Sequence, residues 1–278
     1  MIIGITGLCI DSEGNKRTTG AGKDTVADVL FVRRHVAKVA FADSFKRIVK
    51  DVYKFSYEQL WGPSELREVS DPRYIRMHAG DLGCLGDELN PPKDVYLTPR
   101  FALLQFGSSA GRACYTNTWT DYGIRVAKQL MNNQTGKVYI DYLGVIDSTE
   151  IPPSVETEDD IQDLEDEIAC YPEEVEHVAF SDVRFFNEVD AIRATGGKIV
   201  RVVRRLPGVL ADAEHRLHES ERQVAELDDE AFDYVIENDS SLEVLLHNTL
   251  RMFDILTGRI VPYNEAQKDI PPFMRKKV

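Results

Sequence analysis

Lys23 is the residue around which the chemistry of this chain gathers. It lies in Thr19-Gly20-Ala21-Gly22-Lys23-Asp24-Thr25, just before the apolar positions Val26, Ala27, Val29 and Leu30. Upstream, Ile2-Ile3-Gly4-Ile5-Thr6-Gly7 reads as a buried strand running into a glycine. A strand, a glycine-rich turn and a helix start are the parts of a phosphate-binding loop. Glycines let backbone N–H groups close around phosphate oxygens. The helix N-terminus adds the positive end of its dipole. Lys23 supplies a mobile point charge that can reach the outer phosphates. Gly20, Ala21, Gly22, Lys23, Asp24 and Thr25 are therefore the expected nucleotide-binding residues. The bland alternative is a glycine-rich helix entry with a surface lysine.

Two features depart from the usual pattern. Arg17 stands where a glycine five residues before the Gly-Lys pair is usual, and the nearest upstream glycine is Gly7. Cys9 to Arg17, polar and rich in turn formers, reads as an insertion in the loop. Asp24 occupies the place of the usual magnesium-binding hydroxyl, which comes one residue later at Thr25.

The chemistry continues at the ends of other expected strands. In an open parallel sheet, ligands bind beyond the carboxyl ends of the strands. Asp43 and Lys46 follow the strand Val36–Phe41, Asp182 and Arg184 follow His177–Phe180, and Arg204 and Arg205 follow Lys198–Val203. A network of ion pairs is one account of them. Transfer of a phosphoryl group between two anions is another: it needs positive charge on donor and acceptor phosphates and a carboxylate to hold magnesium or orient the acceptor. No constellation for a covalent nucleophile is present, and the six histidines lack metal-ligand spacing.

The elements that must position these residues alternate between strand and helix. After the second strand comes an amphipathic helix through Ile48, Val49, Val52 and Tyr53. Gly62 to Pro99 reads as an irregular surface insertion. Helices are expected over Pro99–Arg112 and Trp119–Met131, a short strand over Val138–Leu143, and a helix from Asn187 to Ala194. A last strand, Phe232–Ile236, precedes a helix capped within Asn238-Asp239-Ser240. This order predicts an α/β fold: three layers, α/β/α, on a mostly parallel central sheet.

Composition sets the remaining bounds. The 278 residues are 43% hydrophobic and 29% charged, ordinary for a globular chain, and suit one elaborated domain. No apolar run approaches a membrane span, and the start lacks the basic region of a signal peptide. Cys9, Cys84, Cys114 and Cys170 are scattered, which suits a reducing cytoplasm. The net charge is −14, but Asp147 to Glu176 alone holds thirteen acidic residues and no lysine or arginine. Subtracting those thirteen from 47 leaves 34 acidic against 33 basic residues. Outside that segment the chain is close to neutral, so net charge alone neither favours nor excludes nucleic-acid binding by the body.

In their order along the chain these motifs resemble the bacteriophage deoxynucleoside monophosphate kinases, within the P-loop nucleoside monophosphate kinase group. The resemblance is carried by Gly22-Lys23-Asp24-Thr25-Val26-Ala27-Asp28, Ala42-Asp43-Ser44-Phe45-Lys46, Arg100 with Leu104 to Ser108, and Trp119. It continues through Ser181-Asp182-Val183-Arg184-Phe185-Phe186-Asn187-Glu188, Gly196-Gly197, His218-Glu219-Ser220-Glu221 and Ile236 to Glu243. An aspartate after the loop lysine is itself characteristic of the family.

The resemblance implies ATP and Mg²⁺ on the loop side and a deoxynucleoside monophosphate as acceptor, for DNA precursor synthesis in the cytoplasm of a host. It places Phe45, Lys46, Arg100, Gln105, Gly107, Ser108 and Trp119 around the acceptor, Trp119 either stacked on the base or in the core. Asp182, Arg184 and Glu188 would line the floor between the nucleotides. Asp182 would hold the metal, and Lys23, Asp182, Arg184 and Arg204 would act in catalysis. It divides one domain into a core (1–42 and 177–278), an acceptor-binding insertion (about 43–146), an acidic insertion (about 147–176) and a lid (about 204–227). Membrane and nucleic-acid partners are not expected, and a homodimer stays open. Two alternatives remain: a kinase acting on a modified nucleotide or a hydroxyl in DNA, and a nucleotide-binding assembly protein without turnover.

Overall fold

Ile3 and Ile5 point to one side of their strand and Gly4 to the other, and this alternation sets the layers of the fold. The structure, a computed structural model, describes residues 1–18, 20–78, 94–132, 175–208 and 223–259. These form two compact units, one within Met1–Ala40, Val126–Val138 and Ala169–Val278, the other within Phe41–Arg125 and Tyr139–Ile168.

The first unit is built on a sheet. Strand β1 is Ile2–Ile10, β2 Lys16–Arg17 and β3 Ala37–Val39. Strands β6 (Val178–Phe180), β7 (Lys198–Arg205) and β8 (Tyr234–Glu237) complete it in the order β3-β6-β1-β7-β8. All pairs on that path are parallel; only β2 runs antiparallel, against β1. Helices α1 (Lys23–Arg34) and α7 (Leu242–Leu256) share a core with Ile3, Ile5, Val200 and Val202 through Val26, Leu30, Leu245 and Phe253. Ile199, out of phase with Val200 and Val202, meets Ile192 of α6 (Phe186–Ala194) above Gly4. The sheet is therefore covered on both faces. Mostly parallel, with helices on each side, it is the three-layer α/β architecture that the alternating pattern predicted, and it fits the P-loop kinase fold that the resemblance implied.

The second unit holds α2 (Asp43–Tyr53), α3 (Tyr57–Trp61), the antiparallel strands β4 (Asp71–Met77) and β5 (Val95–Leu97), and α4 (Pro99–Leu104). Its core joins Val49, Phe55, Leu60, Leu97 and Ala102. Helix α5 (Thr118–Met131) runs from this unit into the first, so part of the expected 43–146 insertion belongs to the first unit.

Three local expectations are corrected. Gly62 to Pro99 is not wholly irregular: a 3₁₀ turn at Ser64–Glu68 and the β4–β5 pair occupy its described parts. Their packing was hidden because β4 is mostly exposed and carries no alternation. The helix over Pro99–Arg112 changes character at Gln105 and continues to Arg112 as a wider π-helix. Gly107 and Gly111 permit this by admitting the Phe45 and Trp119 rings, respectively, where side chains would stand. The cap of α7 is Ser241, whose Oγ accepts from Val244 N–H at 3.5 Å, not a residue of Asn238 to Ser240. The expected strand at 138–143, the acidic stretch through 174, and residues 209–222 of the expected lid lie outside the described residues.

Candidate active site

The loop insertion is a hairpin that brings the chain back to where it left. β1 does not stop at Gly7 but runs to Ile10, and its Cys9 and Ile10 pair with Arg17 and Lys16 of β2. Asp11 closes the turn. Its Oδ1 accepts from the N–H groups of Glu13 and Asn15 at 2.9 and 2.8 Å, and its Oδ2 accepts from Asn15 Nδ2 at 2.9 Å. The return places the loop directly over Gly7: a Cβ there would lie 2.8 Å from Thr18 O and 3.1 Å from Ala21 Cβ. Gly7 is thus the glycine that seemed to be missing, beneath Ala21 and the Lys23 side chain although fifteen residues before Gly22 in sequence.

The loop is fixed from the far side by Asn238, which follows β8. Its Nδ2 donates to Ala21 O at 2.9 Å, and its own N–H donates to Val203 O at 2.7 Å. Gly22 has φ 95° and faces this amide so closely that a Cβ would sit 2.5 Å from Asn238 Nδ2. Gly22 is also the N-cap of α1 and offers no side-chain acceptor. The first-turn N–H groups therefore stay available to an anion. From sequence Asn238 was expected only within the cap of the last helix, not as an anchor of the loop, although it stands in one of the motifs that carry the resemblance; an asparagine after a short strand was the available signal.

Charge concentrates around this loop. Lys23 Nζ donates to both carboxylate oxygens of Asp24, at 2.8 and 3.0 Å. The lysine side chain is 15% exposed and the aspartate 65%. Burial raises the Asp24 pKa, but Lys23, Lys38 and Arg184 together outweigh it and hold the carboxyl below its ordinary value. This brings Lys23, Asp24 and Arg184 into one electrostatic neighbourhood. Arg204 reaches the same loop, with Nη1 3.4 Å from Gly20 O. Its neighbour Arg205 turns away and pairs with Glu237 and Asp239 at 3.0 and 3.1 Å.

Asp182 and Arg184 follow β6 and are half-buried. Glu188 is 2% exposed, and its Oε2 accepts from the N–H groups of Arg184 at 2.7 Å and Phe185 at 3.1 Å. This carboxylate fastens the start of α6 and with it the backbone that carries Arg184.

Within the second unit the structure brings Phe45, Gly107 and Trp119 together. The two rings lie 5.2 Å apart, and Trp119 Nε1 donates to Gly107 O at 2.8 Å. Trp119 is thus held by its ring nitrogen against the π-helix that carries Gln105 and Ser108. Lys46 pairs with Asp43 at 3.6 Å and stands over the Trp61 ring, whose Nε1 donates to Asp43 Oδ1 at 2.9 Å. Arg100 is paired with Glu68 at 2.9 Å.

Among the described residues no group of three or more His, Cys, Asp or Glu is placed to hold a metal ion, and no helix is long and apolar enough to cross a membrane. Mg²⁺ is commonly held by one or two carboxylates completed by phosphate oxygens. Asp182, just past the carboxyl end of β6 beside β1, could supply one such carboxylate.

No protein-family model matches the chain. It is 25% identical over 224 residues, 81% of its length and 86% of the relative's, to a protein of Acanthamoeba polyphaga mimivirus named "Putative deoxynucleotide monophosphate kinase".

Proposed function

We propose that this protein is a nucleotide kinase that moves the terminal phosphoryl group of ATP to a deoxynucleoside 5′-monophosphate, giving the diphosphate. The observation that carries the reading is the loop around Gly22 and Lys23. It is closed over Gly7, pinned by Asn238, uncapped at the α1 N-terminus and ringed by Arg184 and Arg204. The likeness to the mimivirus protein along most of both chains supports it.

In this reading the backbone of Gly20 to Thr25 cradles the ATP phosphates. Lys23 exchanges Asp24 for a phosphate oxygen as nucleotide enters. Arg184 and Arg204 add positive charge where it builds up on the transferring group. Asp182, with Thr25 and the phosphate oxygens, would hold Mg²⁺, which neutralises charge between the outer phosphates when bound. Lys46 and Arg100 are assigned to the acceptor phosphate, and Phe45, Gln105, Gly107, Ser108 and Trp119 to its nucleoside. Of the lid expected over about 204–227, Arg204 and Arg205 belong to β7; the residues beyond them are assigned to closure, which keeps water from taking the phosphoryl group. No residue forms a covalent intermediate.

The test is a panel of monophosphates with ATP and Mg²⁺, scored for acceptor-dependent ADP. Wild type turns over at least one deoxynucleoside monophosphate. Lys23→Ala loses transfer by about 10²-fold or more, since it removes a charge-assisted contact to the reacting group, and keeps the wild-type circular dichroism. Full activity in Lys23→Ala, or no acceptor-dependent ADP from wild type, overturns the proposal.

A further inference from the structure

The hairpin that interrupts the phosphate loop delivers a side chain to it. Arg17 ends β2, opposite Cys9 of β1. Its guanidinium lies against Gly20: a Cβ there would be 3.3 Å from Nη2 and 3.9 Å from Cζ and Nε. Gly20 has φ 82°, so the loop passes the arginine with its backbone bare. Arg204 reaches the same residue, through Gly20 O. Two guanidinium groups therefore converge on one glycine of the loop.

Several other arginines are neutralised by a carboxylate. Arg34, Arg73, Arg100, Arg201 and Arg205 each form an ion pair with a carboxylate. Among the described residues neither Arg17 nor Arg204 does. Arg17 Nε is buried and has no hydrogen-bond partner. Both cations act on the Cys9 thiol, whose pKa burial raises and the two arginines pull back down. A neutral thiol does not balance two positive charges. Like charges held together with an unsatisfied buried donor are costly unless an anion joins them. On the same loop the uncapped start of α1 can orient an anion.

We infer that Arg17 is a phosphate-contacting residue built into the inserted hairpin, binding the nucleotide's phosphate oxygens together with Arg204 on the Gly20 side of the loop. The inference rests on the kinase reading above and extends it. The insertion then has a purpose. A glycine at the usual position gives backbone N–H groups alone, whereas the hairpin keeps a glycine beneath the loop, Gly7, and adds a forked donor beside it.

ATP binding is measured by titration calorimetry for wild type, Arg17→Ala, Arg17→Gln, Arg17→Lys and Lys23→Ala, at low and high salt, with the urea midpoint of each. Removing Arg17 weakens ATP binding by about tenfold or more, as expected for a hydrogen bond to a charged group. The loss narrows at high salt, because it is a charge contact. Arg17→Lys recovers part of the affinity by restoring the charge without the fork. If Arg17→Ala does not fold, the Arg17→Gln and Arg17→Lys pair carries the same comparison. The inference fails if Lys23→Ala weakens ATP binding and Arg17→Gln stays within about twofold of wild type. It fails equally if the Arg17→Gln loss does not change with salt, since Arg17 would then only hold the hairpin. If Lys23→Ala also binds ATP as wild type does, the reading of the loop falls, and the inference with it.

Discussion

Gly22→Ala should damage the loop through one identifiable contact. At φ 95° a non-glycine residue costs about 1–2 kcal/mol, because Cβ crowds the carbonyl in the left-handed region. The new Cβ would also stand 2.5 Å from Asn238 Nδ2. That amide cannot keep its 2.9 Å bond to Ala21 O while making room. Loss of the bond adds about 1 kcal/mol, for a total of about 2–3 kcal/mol. Asn238→Ala alone should cost about 1 kcal/mol through the same bond. In that background the clash is gone and Gly22→Ala should cost only its backbone term, about 1–2 kcal/mol. The double mutant is therefore less destabilised than the sum of the singles, by about 1 kcal/mol. Urea unfolding of the four proteins measures the cycle, and ATP titration of the same four reports whether the loop still binds. Additivity within about 0.5 kcal/mol would show that Asn238 does not hold the loop through Gly22 and would refute the reasoning.

Glu188→Ala strips the acceptor from two backbone N–H groups at the start of α6 and should cost about 2–4 kcal/mol in urea unfolding, while Glu188→Gln, which keeps one oxygen, should cost less. A Glu188→Ala protein as stable as wild type would remove the case for a structural carboxylate. His177 is half-buried against Phe253, and desolvation together with the Met1 ammonium lowers its pKa from the ordinary 6.5, although Glu176 pulls the other way. The unfolded chain therefore takes up the proton more readily than the fold. The contribution of His177 is intact above pH 6.5 and is lost as pH falls below it. His177→Gln should flatten the acid side of the stability profile beginning there, and an unchanged slope would count against the depressed pKa.

Much of this could be read without coordinates. Short apolar strands alternating along the chain with helices of period 3.6 argue a parallel sheet covered on both faces, because strands apolar on both sides need a helix layer on each. The family motifs mark Lys23, Asp182, Arg184 and Arg204 as groups at strand ends, because residue type and order are properties of the chain. The wider helix at Gln105 was beyond such reading, since two rings entering beside Gly107 and Gly111 decide it and neither is a sequence neighbour of its glycine. The role of Glu188 was hidden for a related reason: a carboxylate's use depends on which N–H groups lie within about 3 Å.

The loop itself shows the division most clearly. Sequence determined that a glycine-rich turn with a lysine opens the first helix, because local backbone freedom and helix-start chemistry are encoded in adjacent residues. Only tertiary structure decided that the loop is intact. Its supporting glycine is Gly7, brought under Ala21 by an antiparallel hairpin, and its anchor is Asn238, more than two hundred positions away. Distance along the chain carries no information about such contacts. Strand pairing and the packing of a single amide against a carbonyl do.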